Sequence, residues 1–257
     1  YPKCMSAQVT PDQDSIIFVL SGLFGVFLGV AAALALALFI VPSVQYLSLS
    51  NYLQIITAFA GAAAFLYLYF RYGRGIGWLY AVGAFAIWGI ADTAWYASVL
   101  VGAGIFTFPS MIDMGFVAAI LLLSSAYNHI YPRKRVRGLI LLAVFFLMLV
   151  VPLAILAMGG ITRQALMILL YFFACGSLII TGLNHALTEH PMALAGTLLF
   201  ALAFMAYPIR ETFFNGNPYL SILGAFVAAG FSLIVLGFLS VGTMRIPTGT
   251  CTSRTPP

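Results

Sequence analysis

The stretch WGIADTAWYASVLVGAGIFTFPSMIDM, residues 88–114, decides how the rest of the chain is read. Two apolar segments flank a Gly-rich break, and each carries one carboxylate, Asp92 before the break and Asp113 after it. Read outward, the first segment runs from Ile76 to Val101 and the second from Pro109 to Tyr127. Each has about the 20 residues that an α-helix needs to cross a bilayer. A carboxylate inside such a segment costs several kcal/mol unless it is paired, hydrated or neutralised, so each one marks a candidate functional site.

The composition extends this reading to the whole chain. Of 257 residues, 63% are hydrophobic and 7% are charged, against roughly half and about a quarter in soluble domains. The apolar runs are long and continuous rather than short and alternating, so the spans are helices with their backbone groups satisfied internally. The expected fold is all-α: a polytopic transmembrane helical bundle of about eight spans. Its bundle covers residues 1–245, and 246–257 form a polar, Pro-containing tail.

The spans are expected at Ile16–Val41, Tyr52–Tyr69, Ile76–Val101, Pro109–Tyr127, Leu139–Met158, Gln164–Leu183, Met192–Phe213 and from the NGNP turn at Asn215–Pro218 to Val241. The first is preceded by Asp12 and Asp14 and is too long for a signal peptide, so it counts as a span. With an even number of spans both termini share a side. Lys3, Arg71, Arg74, Arg133, Lys134, Arg135, Arg137, Arg245 and Arg254 then lie on that side, and only Arg163 and Arg210 lie on or toward the other. The positive-inside rule puts the termini in the cytoplasm of a multi-pass protein of the cell membrane.

The same distribution explains the net charge of +5 without nucleic acid, because the cations occupy short loops where orientation signals belong. Cys4, Cys175 and Cys251 have no metal-ligand spacing, and Cys175 falls in a span where it would pack. His129, His185 and His190 fall at helix ends, where interfacial caps are expected rather than ligands. Both lysines, Lys3 and Lys134, lie outside the spans, which leaves no Schiff-base lysine for retinal. No metal and no cofactor are expected.

An internal echo divides the chain. FPSMIDMGFVAA from Phe108 is echoed by NPYLSILGAFVAA from Asn217, with Pro near the start of each and FVAA following it. The expectation is two four-helix halves, 1–132 and 133–245, as a parallel repeat of the kind that frames a binding site.

The candidate site lies toward the outer face. Asp92 stands about sixteen residues into its span, roughly 24 Å along the axis and so in the outer third of the bilayer. Trp88, Asp92, Trp95 and Tyr96 are spaced four, three and one apart and so lie toward one helical face. In the seventh span Tyr207, Arg210 and Glu211 reach the same depth, and Asp113 opens the fourth span, where an acid complements the helix N-terminus. An Asp92–Arg210 contact is expected. Together these residues would line an aromatic, charge-balanced cavity open to the outside, for a small-molecule or lipid ligand.

Residues 90–127, IADTAWYASVLVGAGIFTFPSMIDMGFVAAILLLSSAY, resemble the multi-span sensor modules that precede kinase or cyclase domains in bacteria and archaea. Those modules have an Asp-containing aromatic helix, a Gly-rich turn and a Pro-Ser-x-x-Asp start to the next helix, positions held here by Asp92, Pro109, Ser110 and Asp113. The resemblance implies a sensory or ligand-binding role. A second similarity, through AD in span three and GTLLFALAFMAYPIRETFF at residues 196–214, is to the lysoplasmalogenase-like eight-span family. It implies vinyl-ether lipid hydrolysis, with Met205 and Ala206 standing where a second acid is expected.

The expected role is therefore non-enzymatic: a sensor, a ligand-binding module or a complex subunit, in contact with membrane lipid and with a protein partner on the cytoplasmic side. The alternative is an intramembrane lipid-modifying enzyme using Asp92 and Asp113 as general acid and base. A transporter is the third reading.

Overall fold

The computed structural model describes residues 11–41, 44–72, 75–101, 108–131, 138–160, 162–186, 190–213 and 222–244. Eight helices account for nearly all of them. They are α1 (Pro11–Ile40), α2 (Val44–Arg71), α3 (Ile76–Leu100), α4 (Met111–Ile130), α5 (Gly138–Gly159), α6 (Arg163–Ala186), α7 (Pro191–Phe213) and α8 (Ile222–Met244). Among the described residues seven helices are long and apolar enough to cross a membrane, and α5 adds a shorter apolar stretch, Val144–Ala157. The protein is an all-α polytopic bundle. The NGNP turn, the basic segment 133–137, Cys4, Cys251 and the His185 side chain lie outside the described residues.

Helix neighbours follow a simple order. Contacts run α2·α3, α3·α4, α4·α6, α6·α7, α7·α8 and α8·α2, closing a ring of six helices. Outside the ring, α1 packs on α8 and α2, and α5 packs on α6. Exposed apolar side chains such as Phe18, Phe39, Phe146 and Phe173 cover the outer surface, as lipid-facing positions require.

Two kinds of contact hold the ring. Between α7 and α8 the backbones approach closely at glycine: a Cβ built on Gly196 would lie 2.7 Å from both Gly230 O and Ile234 N. Lipid tails are as apolar as the side chains they would replace, so helices in a bilayer associate through such close packing and through hydrogen bonds. The hydrogen bonds gather on α4, where Ser124 meets Ser177 and Thr181 of α6 at 3.1 and 2.9 Å. One turn on, the Tyr127 hydroxyl meets Thr197 Oγ1 of α7 at 2.6 Å.

The interior is aromatic. Trp88 of α3 contacts Phe116 of α4, Phe200 and Phe204 of α7 and Phe231 of α8, with ring centroids 4.2–5.2 Å apart. The stack continues through Phe85, Phe65 and Phe238 to Trp78 at the other end of α3. Cys175 is buried and free in the α6 core, as expected for a packing residue.

Candidate functional site

Three helix starts and two helix ends meet at one end of the bundle. The starts of α2, α4 and α8 and the ends of α3 and α7 enclose a cavity of about 70 Å³, room for a few waters or a small ligand group. Its walls carry Trp88, Asp92 and Trp95 from α3, Tyr207 and Arg210 from α7, and Asn51 and Gln54 from α2. Phe116 and Phe204 close the apolar side toward the core.

Three residues of this lining have a buried side-chain atom without a hydrogen bond. Asp92 is 5% exposed, and its Oδ2 has no hydrogen-bond partner among the described residues. The same holds for Trp88 Nε1 and Arg210 Nε. Buried polar groups are nearly always satisfied by protein or ordered water, so three residues with an unsatisfied atom along a single cavity make it the place where water or a ligand group would be bound. One acceptor and two donors define what that occupant must offer.

The predicted Asp92–Arg210 ion pair is not formed; the two residues share the cavity wall instead. Arg210 Nε lies 3.6 Å from Glu211 Oε1, its own chain neighbour, and both side chains are about one-fifth exposed. Pairing within α7 needs no helix to move, whereas a bond across the cavity would have to close it. Glu211 accordingly touches Arg210 but does not line the cavity.

Asp113 has a different role from the one its sequence position shares with Asp92. It is 2% exposed and fully engaged. Its Oδ2 accepts from the Ser110 backbone N–H at 2.6 Å and from the Ser110 hydroxyl at 2.8 Å, and its Oδ1 accepts from Tyr171 at 2.9 Å. Ser110 is the N-cap of α4 and Asp113 its third residue, so this is a capping box tied to α6. The helix-start reading holds, with the acid buried rather than at the surface.

Tyr96 also falls outside the cavity. With about 100° per helical residue, Trp95 lies about 20° to one side of Trp88 on the helical wheel, while Asp92 and Tyr96 lie about 40° and 80° to the other. The last angle carries Tyr96 around to α2, where it meets Tyr52 edge-on with centroids 4.9 Å apart. Arg163, at the start of α6, is exposed.

The α2 contribution, Asn51 and Gln54, was not among the expected site residues. Both are buried, at 7% and 6% exposure, in an otherwise apolar helix of the first half. Four polar residues in a short run, Ser50, Asn51, Gln54 and Thr57, were the available signal. Across from them Gly224 of α8 makes the room: a Cβ there would fall 2.5 Å from Gln54 Nε2 and against Ser50 Oγ.

A larger apolar groove of about 300 Å³ lies between α5 and α6, lined by Phe145, Met148, Phe172 and Gly176 among others. The polar atoms at its edge, Ser177 and Thr181, are already bonded to Ser124, so it presents no unanswered chemistry.

Compared with known proteins, the chain matches no protein-family model, no curated protein and no solved structure. The geometry of the cavity therefore carries the functional reading by itself.

Proposed function

We propose that this integral membrane protein is a non-enzymatic ligand-binding module of the sensor type. In this reading a small polar molecule or a lipid headgroup enters the cavity from the outer side and satisfies Asp92, Trp88 and Arg210. The carrying observation is that Asp92, Trp88 and Arg210, each with a buried side-chain atom that lacks a hydrogen bond among the described residues, line one aromatic-walled space. Trp88 touches both this space and the aromatic stack joining α3, α4, α7 and α8. Occupancy would reach the cytoplasmic side, and a protein partner there, by repacking that stack. The termini lie in the cytoplasm in this orientation, from the loop charges.

The alternatives lose support at particular residues. A lipid-modifying enzyme needs Asp113 beside Asp92 at one substrate, yet both oxygens of Asp113 are occupied by Ser110 and Tyr171. A transporter needs access from both sides, and the aromatic contacts from Trp88 to Trp78 favour a cavity open at one end. The paired helix contacts, α2·α3, α3·α4 and α4·α6 against α6·α7, α7·α8 and α8·α2, support reading residues 1–132 and 133–245 as two repeats, from which α1 departs by packing on α8 where α5 does not pack correspondingly on α4.

The test is purification with native lipid retained, followed by native mass spectrometry. A defined small molecule or lipid should co-purify with the wild type and be lost from Arg210→Gln and Trp88→Phe proteins that remain monodisperse. Retention of the same occupant by both variants, or its absence from the wild type, would remove this reading.

A further inference from the structure

The charges around the cavity do not balance. Two carboxylates and one guanidinium stand at or beside it: Asp92 and Arg210 on its wall, and Glu211 behind Arg210. Arg210 has Glu211 as a loose ion-pair partner at 3.6 Å. Asp92 has Oδ2 buried without a hydrogen bond and forms no ion pair among the described residues. A cation that enters the cavity gains a charge-assisted bond to Asp92 without competition, whereas an anion shares Arg210 with Glu211.

The walls select the kind of cation. No group of three or more His, Cys, Asp or Glu side chains that could hold a metal ion occurs among the described residues. A hard metal ion demands several oxygen ligands, and a single carboxylate beside two carboxamides does not provide a dedicated cage. Trp88 and Trp95 flank Asp92 on its own helix at i−4 and i+3, and Phe116, Phe204 and Tyr207 complete an aromatic enclosure. Aromatic faces attract organic ammonium groups through the ring quadrupole and tolerate their carbon substituents. Asn51 and Gln54 supply carbonyl acceptors for further N–H or O–H groups on the ligand.

We infer that the cavity is built for an organic ammonium group, held by Asp92 between the flanking side chains of Trp88 and Trp95. This rests on the ligand-binding reading above and narrows it. The ammonium has two sources, a free small amine or the amino headgroup of a lipid, and both present the same chemistry to Asp92.

Ethanolamine and ethylene glycol separate charge from shape, because they are near-isosteric and differ in the ammonium. Tryptophan emission reports on the site, since two of the three tryptophans line it. In nanodiscs of phosphatidylglycerol alone, ethanolamine should shift the emission saturably, with a response to ethylene glycol at least about tenfold weaker. Asp92→Asn should abolish the preference while the protein stays monodisperse. Nanodiscs containing phosphatidylethanolamine then distinguish the source: a lipid headgroup occupying the site would suppress the ethanolamine response, and a free amine would leave it intact.

Equal responses to ethanolamine and ethylene glycol, or saturable binding of acetate in place of ethanolamine, would overturn the ammonium while leaving a ligand-binding cavity. That comparison uses the wild-type protein and does not depend on a variant folding. No response to any probe, together with no co-purifying molecule, would remove both the ammonium and the binding function.

Discussion

Arg210 directs its Nε to Glu211 at 3.6 Å, one residue along α7, while Asp92 in the lining of the same cavity forms no ion pair among the described residues. The distribution of charge at this end of the bundle is thus decided within a helix rather than between helices. Adjacent helical residues point about 100° apart, so only long side chains can meet this way and the contact is loose.

A double-mutant cycle measures which pairing is real. Arg210→Gln and Glu211→Gln should couple by about 0.2–1 kcal/mol, as expected for a partly exposed pair. Asp92→Asn and Arg210→Gln should be additive in the unliganded protein to within about 0.5 kcal/mol. Unfolding in mixed micelles gives both numbers, and a coupling above about 1 kcal/mol between Asp92 and Arg210 would mean that the cavity closes on that ion pair.

The two acids should respond oppositely to neutralisation. Asp113→Ala strands the Ser110 donors and the Tyr171 hydroxyl in a buried setting, and a loss of about 2–3 kcal/mol is expected. Tyr171→Phe leaves Oδ1 of Asp113 unanswered and should cost about 1–3 kcal/mol. Asp92→Leu removes an unpaired buried carboxylate and should be neutral or stabilising. Thermal unfolding of the three variants checks the order. A destabilised Asp92→Leu beside an unaffected Asp113→Ala would reverse the roles given to the two residues.

How much of this was legible in the sequence divides along the same line. The helices were legible because hydrocarbon imposes one requirement, about 20 apolar residues with internally bonded backbone, and Ile76–Leu100 meets it almost to the residue. The gathering of Trp88, Asp92, Trp95, Tyr207 and Arg210 was legible because polar residues near the same depth of different spans have only the bundle interior to face. Contacts set by helix rotation and neighbour order were not. Tyr96 lies only about 40° beyond Asp92, yet that step moves it from the cavity to Tyr52. Asn51 and Gln54 were missed because carboxamides carry no charge to stand out in an apolar run, and only the packing of α2 against Gly224 of α8 brings them to the site.

The α7·α8 seam tolerates no side chain at its tightest point. At Gly196 the atoms that a Cβ would meet at 2.7 Å include Gly230 O and Ile234 N, which are backbone and cannot rotate away. Gly196→Ala should therefore cost about 1–3 kcal/mol through forced helix separation. Gly22 on α1 has nothing within 4 Å of its Cβ position, so Gly22→Ala should be neutral or gain up to about 1 kcal/mol from helix propensity alone. Equal effects at the two positions, read from unfolding midpoints, would show that propensity rather than close packing governs α7.

Gly224 offers a way to fill the cavity without touching its charges. Its absent side chain leaves the space into which Gln54 and Ser50 reach from α2. A methyl at Gly224 meets buried Ser50 Oγ as well as Gln54, so both side chains must rotate, and Gly224→Ala should fold with some loss of stability and weakened ligand binding. Gly224→Val adds a branched group that must displace Gln54 into the cavity beside Asp92, and binding should be lost. Stability should fall by less than at Gly196, because the nearest atoms at Gly224 belong to movable side chains rather than backbone. Retained ligand on the Gly224→Val protein, measured by native mass spectrometry at unchanged monodispersity, would place the binding site elsewhere than between α2, α3, α7 and α8.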